Sequence, residues 1–192
     1  RIGTCGSMQE NLKLGDVILA QAASTDSAVN RIRFGGADFA PTASFELLSH
    51  AYRIAREKGI PVHVGGVLTS DTFYGDDPEF WKLWAGYGVL AAEMETTALY
   101  TIAARLGAQA LTILTVSDSL VRGESATTEQ RQQGYTAMME LALAVAVDPG
   151  ADRLAAGQPR RVEDLSADEV RRARRRRPDQ HRFVGEPDVA RV

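Results

Sequence analysis

The sequence predicts an α/β fold. Three observations carry the prediction: β-branched apolar runs alternate with helix-periodic stretches through residues 1–150, glycines close two of the helical stretches, and the strand-like runs are too apolar for a sheet with one wet face. A chain of 192 residues, 44% hydrophobic, holds enough material to bury one sizeable core.

The elements come in order. The opening Arg1-Ile-Gly-Thr-Cys-Gly6-Ser7 reads as a strand end running into a glycine-bearing loop. Gly3 and Gly6 allow close backbone approach to a ligand, and Arg1 and Thr4 can hold an oxyanion, Arg1 through a bidentate fork. Residues 17–23 predict a strand entered through the Gly15-Asp16 turn. Residues 24–34 are polar and aperiodic, which predicts a surface loop, with a packed loop or subunit contact as the alternative. Residues 44–58 predict a helix with Phe45, Leu48, Tyr52 and Ala55 on one face, closed by Gly59. A strand is expected at 62–68, followed by a loop carrying Phe73 and Tyr74, aromatics that can stack on a planar base or plug the core edge. A short strand is expected at 87–92, a helix at 95–106 closed by Gly107, a strand at 110–116, and a helix at 127–147 burying Met138, Leu141, Ala142 and Val145. No internal repeat appears.

Two places carry candidate chemistry. The run Leu111-Thr-Ile-Leu-Thr-Val-Ser-Asp118 presents a carboxylate at the end of a strand, where α/β sheets bind ligands. The polar loop behind it enters the helix that brings Arg131 back, so an acid and a cation share one element. An ordinary turn or N-cap aspartate is the plain alternative. In Ala92-Glu93-Met94-Glu95, two carboxylates two positions apart point to different sides. One can pair internally while the other accepts from a cis-diol such as that of ribose. The plain alternative is an acidic first helical turn.

Charge divides the chain. Residues 1–150 hold 11 Lys and Arg against 17 Asp and Glu, a balance of −6, while 151–192 hold 11 arginines against 8 acidic residues, a balance of +3. The break predicts a domain over 1–149 and an Arg-rich, flexible extension over 150–192. One short helix is expected in that extension, opened by the Ser166/Glu169 capping box, running through Arg171–Arg177 and ended by Pro178. A polyanion-binding arm is the alternative there, but a net charge of −3 points to neither nucleic acid nor membrane. The lone Cys5 rules out an internal disulfide and fits a reducing, cytoplasmic setting. No apolar run is long enough to span a bilayer.

Taken in register, five segments resemble the nucleoside phosphorylase family, and within it the bacterial, homohexameric purine type. They are Arg1-Ile-Gly-Thr-Cys-Gly6, Thr25-Asp-Ser-Ala-Val-Asn-Arg-Ile-Arg-Phe34, Ser70-Asp-Thr-Phe-Tyr74, Glu93-Met-Glu95, and Thr115-Val-Ser-Asp118 with Arg131. The resemblance implies a single-domain fold with a central mixed sheet flanked by helices, and phosphorolysis of purine nucleosides with inorganic phosphate as co-substrate and no cofactor or metal. It implies that Arg1 and Thr4 bind phosphate, that Met94 and Glu95 take the ribose, and that Cys5, Gly6, Phe73, Ala92, Glu93 and Ser117 form the base pocket. Ala92 stands where valine is expected, and Thr4 where serine is expected. Asp118 would protonate purine N7, with Arg131 as its partner. A carboxylic acid placed for that step has to be held neutral, which calls for burial. The resemblance further implies about eighty residues upstream of Arg1 in family members. These hold a glycine-rich phosphate loop, a second phosphate arginine and residues lent to a neighbouring subunit, so this chain is expected to be N-terminally truncated with an unpaired sheet edge. A uridine or methylthioadenosine phosphorylase of the same superfamily, and a non-catalytic fragment or interaction module, are the rival readings.

Overall fold

The computed structural model describes residues 1–73 and 75–147, without the side chains of 131–134. The extension at 150–192 and Tyr74 lie outside the described residues. Six strands and five helices appear among the described residues: β1 Ile2–Ser7, β2 Val17–Thr25, α1 Val29–Arg33, α2 Phe45–Lys58, β3 Val62–Thr69, α3 Phe80–Gly86, β4 Ala91–Glu93, α4 Thr96–Leu106, β5 Thr112–Ser119, β6 Glu124–Ser125 and α5 Thr128–Val147.

The sheet is mixed and closes on itself. Its order is β1-β4-β3-β2-β5-β6, with a further β1–β5 pairing that makes β1 to β5 a ring. β2, β3 and β4 run parallel, β1 is parallel to β5, and the pairs β1–β4 and β2–β5 are antiparallel. Cys5, Ile18, Ala20, Val67, Ala91, Leu114 and Val116 supply apolar side chains from all five strands, and with Leu12 they fill the ring. Alternation along β2 sends Val17 and Leu19 the other way, where they pack with Ile113 against α2 and α5. The ring is sealed unevenly. β2 and β3 are paired along their whole length, whereas β1 meets β4 only at Gly6↔Ala92 and Ser7↔Ala91. Over Ile2–Cys5 that flank of β1 has no strand partner among the described residues, and Ile2 and Thr4 are exposed.

Several expectations hold. Gly59 and Gly107 close α2 and α4 with φ of 68° and 61°, left-handed values that suit glycine. Met138, Leu141 and Val145 are buried, with Ala142 packed beside them. Others need correcting. The opening segment stays strand from Ile2 through Ser7 instead of turning into a loop, because β5 pairs along it and β4 joins at Gly6 and Ser7. The 24–34 stretch continues β2 through Thr25 and then forms α1. The buried face of α2 is Leu48, Ala51, Ile54 and Ala55, while Phe45 and Tyr52 are exposed. Only Ala91 and Ala92 of the expected 87–92 strand lie in a strand, which runs on to Glu93, since Tyr87 ends the unforeseen α3 and Gly88 turns with φ of 78°. β5 runs on through Ser119, so Asp118 stands within a strand and not beyond one.

Candidate active site

Asp118 owes its placement to an irregularity in β5. Cys5 pairs with Val116 and the next residue, Gly6, with Asp118, so Ser117 is skipped and the strand bulges there. An extra residue of this kind reverses the side-chain alternation and re-aims the side chains beyond it. Gly6 makes room for the result: a Cβ built on it would stand 2.5 Å from Asp118 Oδ2. The glycine is required by close approach to the carboxylate rather than by a turn. Ser117, itself buried, lies with its Oγ 2.8 Å from Asp118 Oδ1, to which it donates, and 3.4 Å from the Cys5 carbonyl. Asp118 is half-buried.

The segment leaving Asp118 is fastened beside it. β6 pairs back on Asp118 and Ser119, and the Ala126 amide donates to the Ser117 carbonyl at 2.8 Å. Arg122 braces the turn, with Nη1 and Nη2 donating to the Glu10 and Leu12 carbonyls and Nε to Glu124. Thr127 and Gln130 form a reciprocal capping box that starts α5, with the Thr127 amide donating to Gln130 Oε1 and the Gln130 amide to Thr127 Oγ1. Arg131 is the fourth residue of that helix.

A second centre is built around Glu93. Its carboxylate is almost wholly buried, with a side chain 1% exposed, yet every donor it needs is present. Thr69 Oγ1 donates to Oε1 at 2.5 Å, the amides of Glu95 and Thr96 donate at 3.0 Å, and Arg1 Nη1 lies 3.2 Å from Oε2. A buried carboxylate with this many charge-assisted partners satisfies two orphan amides at the start of α4 while anchoring a cation. Arg1 reaches it by folding over Gly3, where a Cβ would crowd the guanidinium at 2.9 Å. The other arm of Arg1 pairs with Glu95, whose side chain is 57% exposed. One carboxylate thus turns inward and the other outward, as the spacing predicts.

The remaining candidates gather around these two centres. Ala92 sits on β4 as the register partner of Gly6, which places it two strands from Asp118. Cys5 is 3% exposed, and burial, then the negative charge of Asp118 and of Glu93, pushes its thiol far up, so it is no nucleophile. Met94 is 44% exposed and Phe73 is 73% exposed, both presented to solvent at the ends of β4 and β3. The loop bearing Phe73 is held by Asp26, which accepts from Ser70 Oγ at 2.6 Å and from the Asp71 amide at 3.0 Å. Thr4 is exposed on β1. Among the described residues no group of His, Cys, Asp or Glu is arranged to hold a metal, and no helix is long and apolar enough to cross a membrane.

Thr69, Asp26 and Arg122 were not foreseen as parts of the site. Only the run of hydroxyl and acid residues at the ends of the strands hints at them.

A profile described as the phosphorylase superfamily matches residues 1–148. The DeoD-type purine nucleoside phosphorylase of Caldanaerobacter subterraneus subsp. tengcongensis is 60% identical over 146 residues, covering 76% of this chain and 63% of that protein. The proteins of the same name from Clostridium perfringens and Geobacillus kaustophilus are 57% and 54% identical, over 77% and 79% of this chain and 63% and 64% of their own lengths. The chain therefore spans somewhat less than two thirds of these curated relatives. With the profile matched from Arg1 through Asp148, along the whole of the strand ring and the helices around it, the chain belongs to the phosphorylase superfamily.

Proposed function

We propose that this chain acts as a purine nucleoside phosphorylase, which converts a purine (deoxy)ribonucleoside and phosphate reversibly to free base and (deoxy)ribose 1-phosphate in purine salvage. The observation that carries the reading is the coupled geometry of Asp118 over Gly6 and of Glu93 between Arg1 and α4. The relatives' shared name points the same way.

Cleaving the N-glycosidic bond develops an oxocarbenium-like sugar and leaves electrons on the purine. Asp118 protonates N7 so that the base departs neutral, and Arg131 pairs with the carboxylate as the site closes. Ser117 orients Asp118 by its hydrogen bond. Arg1, with Thr4 beside it, binds phosphate and aims it at the anomeric carbon. Arg1 keeps its buried anchor on Glu93 while phosphate competes with exposed Glu95. Glu95, once released, accepts from the 2′- and 3′-hydroxyls, and Met94 packs on the ribose. Phe73 stacks on the base, with Cys5, Gly6, Ala92, Glu93 and Ser117 forming the rest of its pocket. Phosphate is the only co-substrate and no cofactor is needed. The working assembly is a homohexamer in the cytoplasm, a setting that the single unpaired Cys5 fits. The Arg-rich residues 150–192 form an extension outside the catalytic domain.

Inosine, adenosine and uridine incubated with the chain, with and without phosphate, test this. Phosphate-dependent release of purine base is the expected result. Uridine cleavage without inosine cleavage would overturn the purine assignment.

A further inference from the structure

We propose that Thr69 is a positioning residue for the phosphate and ribose groups, acting through Glu93. The inference rests on the phosphorolysis reading for its functional part.

Thr69 is the last residue of β3 and pairs in register with Thr25 on β2 and Glu93 on β4. It is 4% exposed, and its hydroxyl both donates and accepts. Its Oγ1 donates to Glu93 Oε1 at 2.5 Å and accepts from the Thr97 amide at 2.9 Å. Its carbonyl accepts from Thr25 Oγ1 at 2.8 Å. One hydroxyl therefore ties three things together: the end of β3, the carboxylate that holds Arg1, and the first turn of α4, which comes directly after Met94 and Glu95.

The directions of these bonds matter. Thr69 must donate to Glu93 because an ionised carboxylate can only accept, and it must accept from Thr97 because an amide can only donate. That fixes the hydroxyl proton and leaves the Glu93 carboxylate one orientation. In that orientation Oε2 lies 3.2 Å from Arg1 Nη1 while both oxygens receive the Thr96 amide. Without the hydroxyl, the Thr97 amide and one side of Oε1 are left buried and unpaired. The carboxylate then rotates toward its remaining donors, and Arg1 moves with it. Thr69 touches neither substrate, so its contribution passes to the ligand through the placement of Arg1 and Glu95.

The test compares Thr69→Val, which keeps the volume and removes the hydroxyl, with Thr69→Ser, which keeps the hydroxyl, in the full 192-residue chain. The readouts are the Arg1 Nε–Hε resonance in a nitrogen-15 spectrum, its titration midpoint with inorganic phosphate, and KM for phosphate against kcat. Loss of a charge-assisted hydrogen bond predicts a phosphate midpoint and KM raised about tenfold in Thr69→Val with a displaced Arg1 resonance, a smaller change in kcat, and near-wild-type values in Thr69→Ser. A folded Thr69→Val with an unmoved Arg1 resonance and midpoint overturns the proposal, as does a Thr69→Ser impaired as badly as Thr69→Val. A wild-type chain that ignores phosphate removes the phosphorolysis reading alone, and the Arg1 resonance then decides the role of Thr69 in the same two directions. Should Thr69→Val not fold, Thr69→Cys, with a weaker donor, is expected to move the resonance part of the way, and an unmoved one overturns the assignment.

Discussion

The two centres of the site are built on opposite plans. Around Glu93 every partner is inside the protein: a buried carboxylate is met by three hydrogen-bond donors and a cation. Around Asp118 the described residues supply one hydroxyl, and the carboxylate lies over Gly6 and stays half-buried. The first arrangement is what a structural anchor needs, because an unpaired buried charge is costly. The second leaves the group room to meet a ligand, as the proposed proton donor requires, because a group whose hydrogen bonds are all spent has nothing to offer one. On the proposed reading, the two carboxylates divide into one that holds and one that acts, and substitutions should separate them.

The largest effect is expected at Asp118. Asp118→Ala should lower kcat/KM for inosine by about 10²–10⁴-fold while leaving the urea midpoint nearly unchanged, since general-acid help has that size and little structure depends on the side chain. Steady-state kinetics beside urea unfolding checks both halves, and near-wild-type turnover would end the division of labour.

Glu93→Ala should instead act first on stability. It leaves the Thr69 hydroxyl and the Glu95 and Thr96 amides without their acceptor and takes away the buried partner of Arg1, at a cost of roughly 3–5 kcal/mol in unfolding free energy, the range for breaking a buried ion pair. Urea denaturation followed by circular dichroism measures it. A loss below about 1 kcal/mol, the size of an exposed pair, would mean that Glu93 is no anchor.

The smallest effect is one of pH and probes the ground between the centres. Cys5 stays protonated in the fold because burial, then Asp118 and Glu93, raise its pKa, whereas the unfolded thiol ionises near the ordinary value of about 8.5. The unfolded state therefore binds fewer protons above that pH, and stability should fall as pH rises, by up to about 1.4 kcal/mol per unit. Tyr100, raised by burial, adds to the fall at higher pH. Thermal melts between pH 8 and 10 should slope downward, and less steeply in Cys5→Ala. An equal slope in both would place the alkaline sensitivity elsewhere.

Much of this is legible in the sequence where local chemistry decides. Ser44 and Gly59 bracket α2, Gly107 ends α4, and the spacing of Met138, Leu141 and Val145 marks the buried stripe of α5. The alternation of Glu93 and Glu95 announces one inward and one outward carboxylate. What escapes is set by partners distant in sequence. The bulge at Ser117 depends on which residue β1 skips more than a hundred positions away, and nothing in Val-Ser-Asp names it. Phe45 and Tyr52 look like core residues on a helical wheel, yet the face that meets α5 and β2 is rotated away from them. A threonine closing a strand, as Thr69 does, carries no chemical signal until Glu93 and Thr97 are seen against it. The roles proposed for Arg131 and Phe73 rest on family likeness, because sequence spacing alone leaves each with an ordinary structural explanation.

The narrow seal between β1 and β4 has a consequence for how the molecule breathes. A ring held on one side by eight paired residues and on another by two does not open evenly. The short seam is where a transient breach begins, and Glu93 is the residue directly after its β4 side. Its bonds to Arg1, Thr69 and α4 then act as a latch: while the carboxylate is seated, β4 is tied to the segment before β1 by a route that bypasses the missing ladder. On the proposed phosphate-binding role of Arg1, native-state fluctuation and ligand capture would be two readings of one latch.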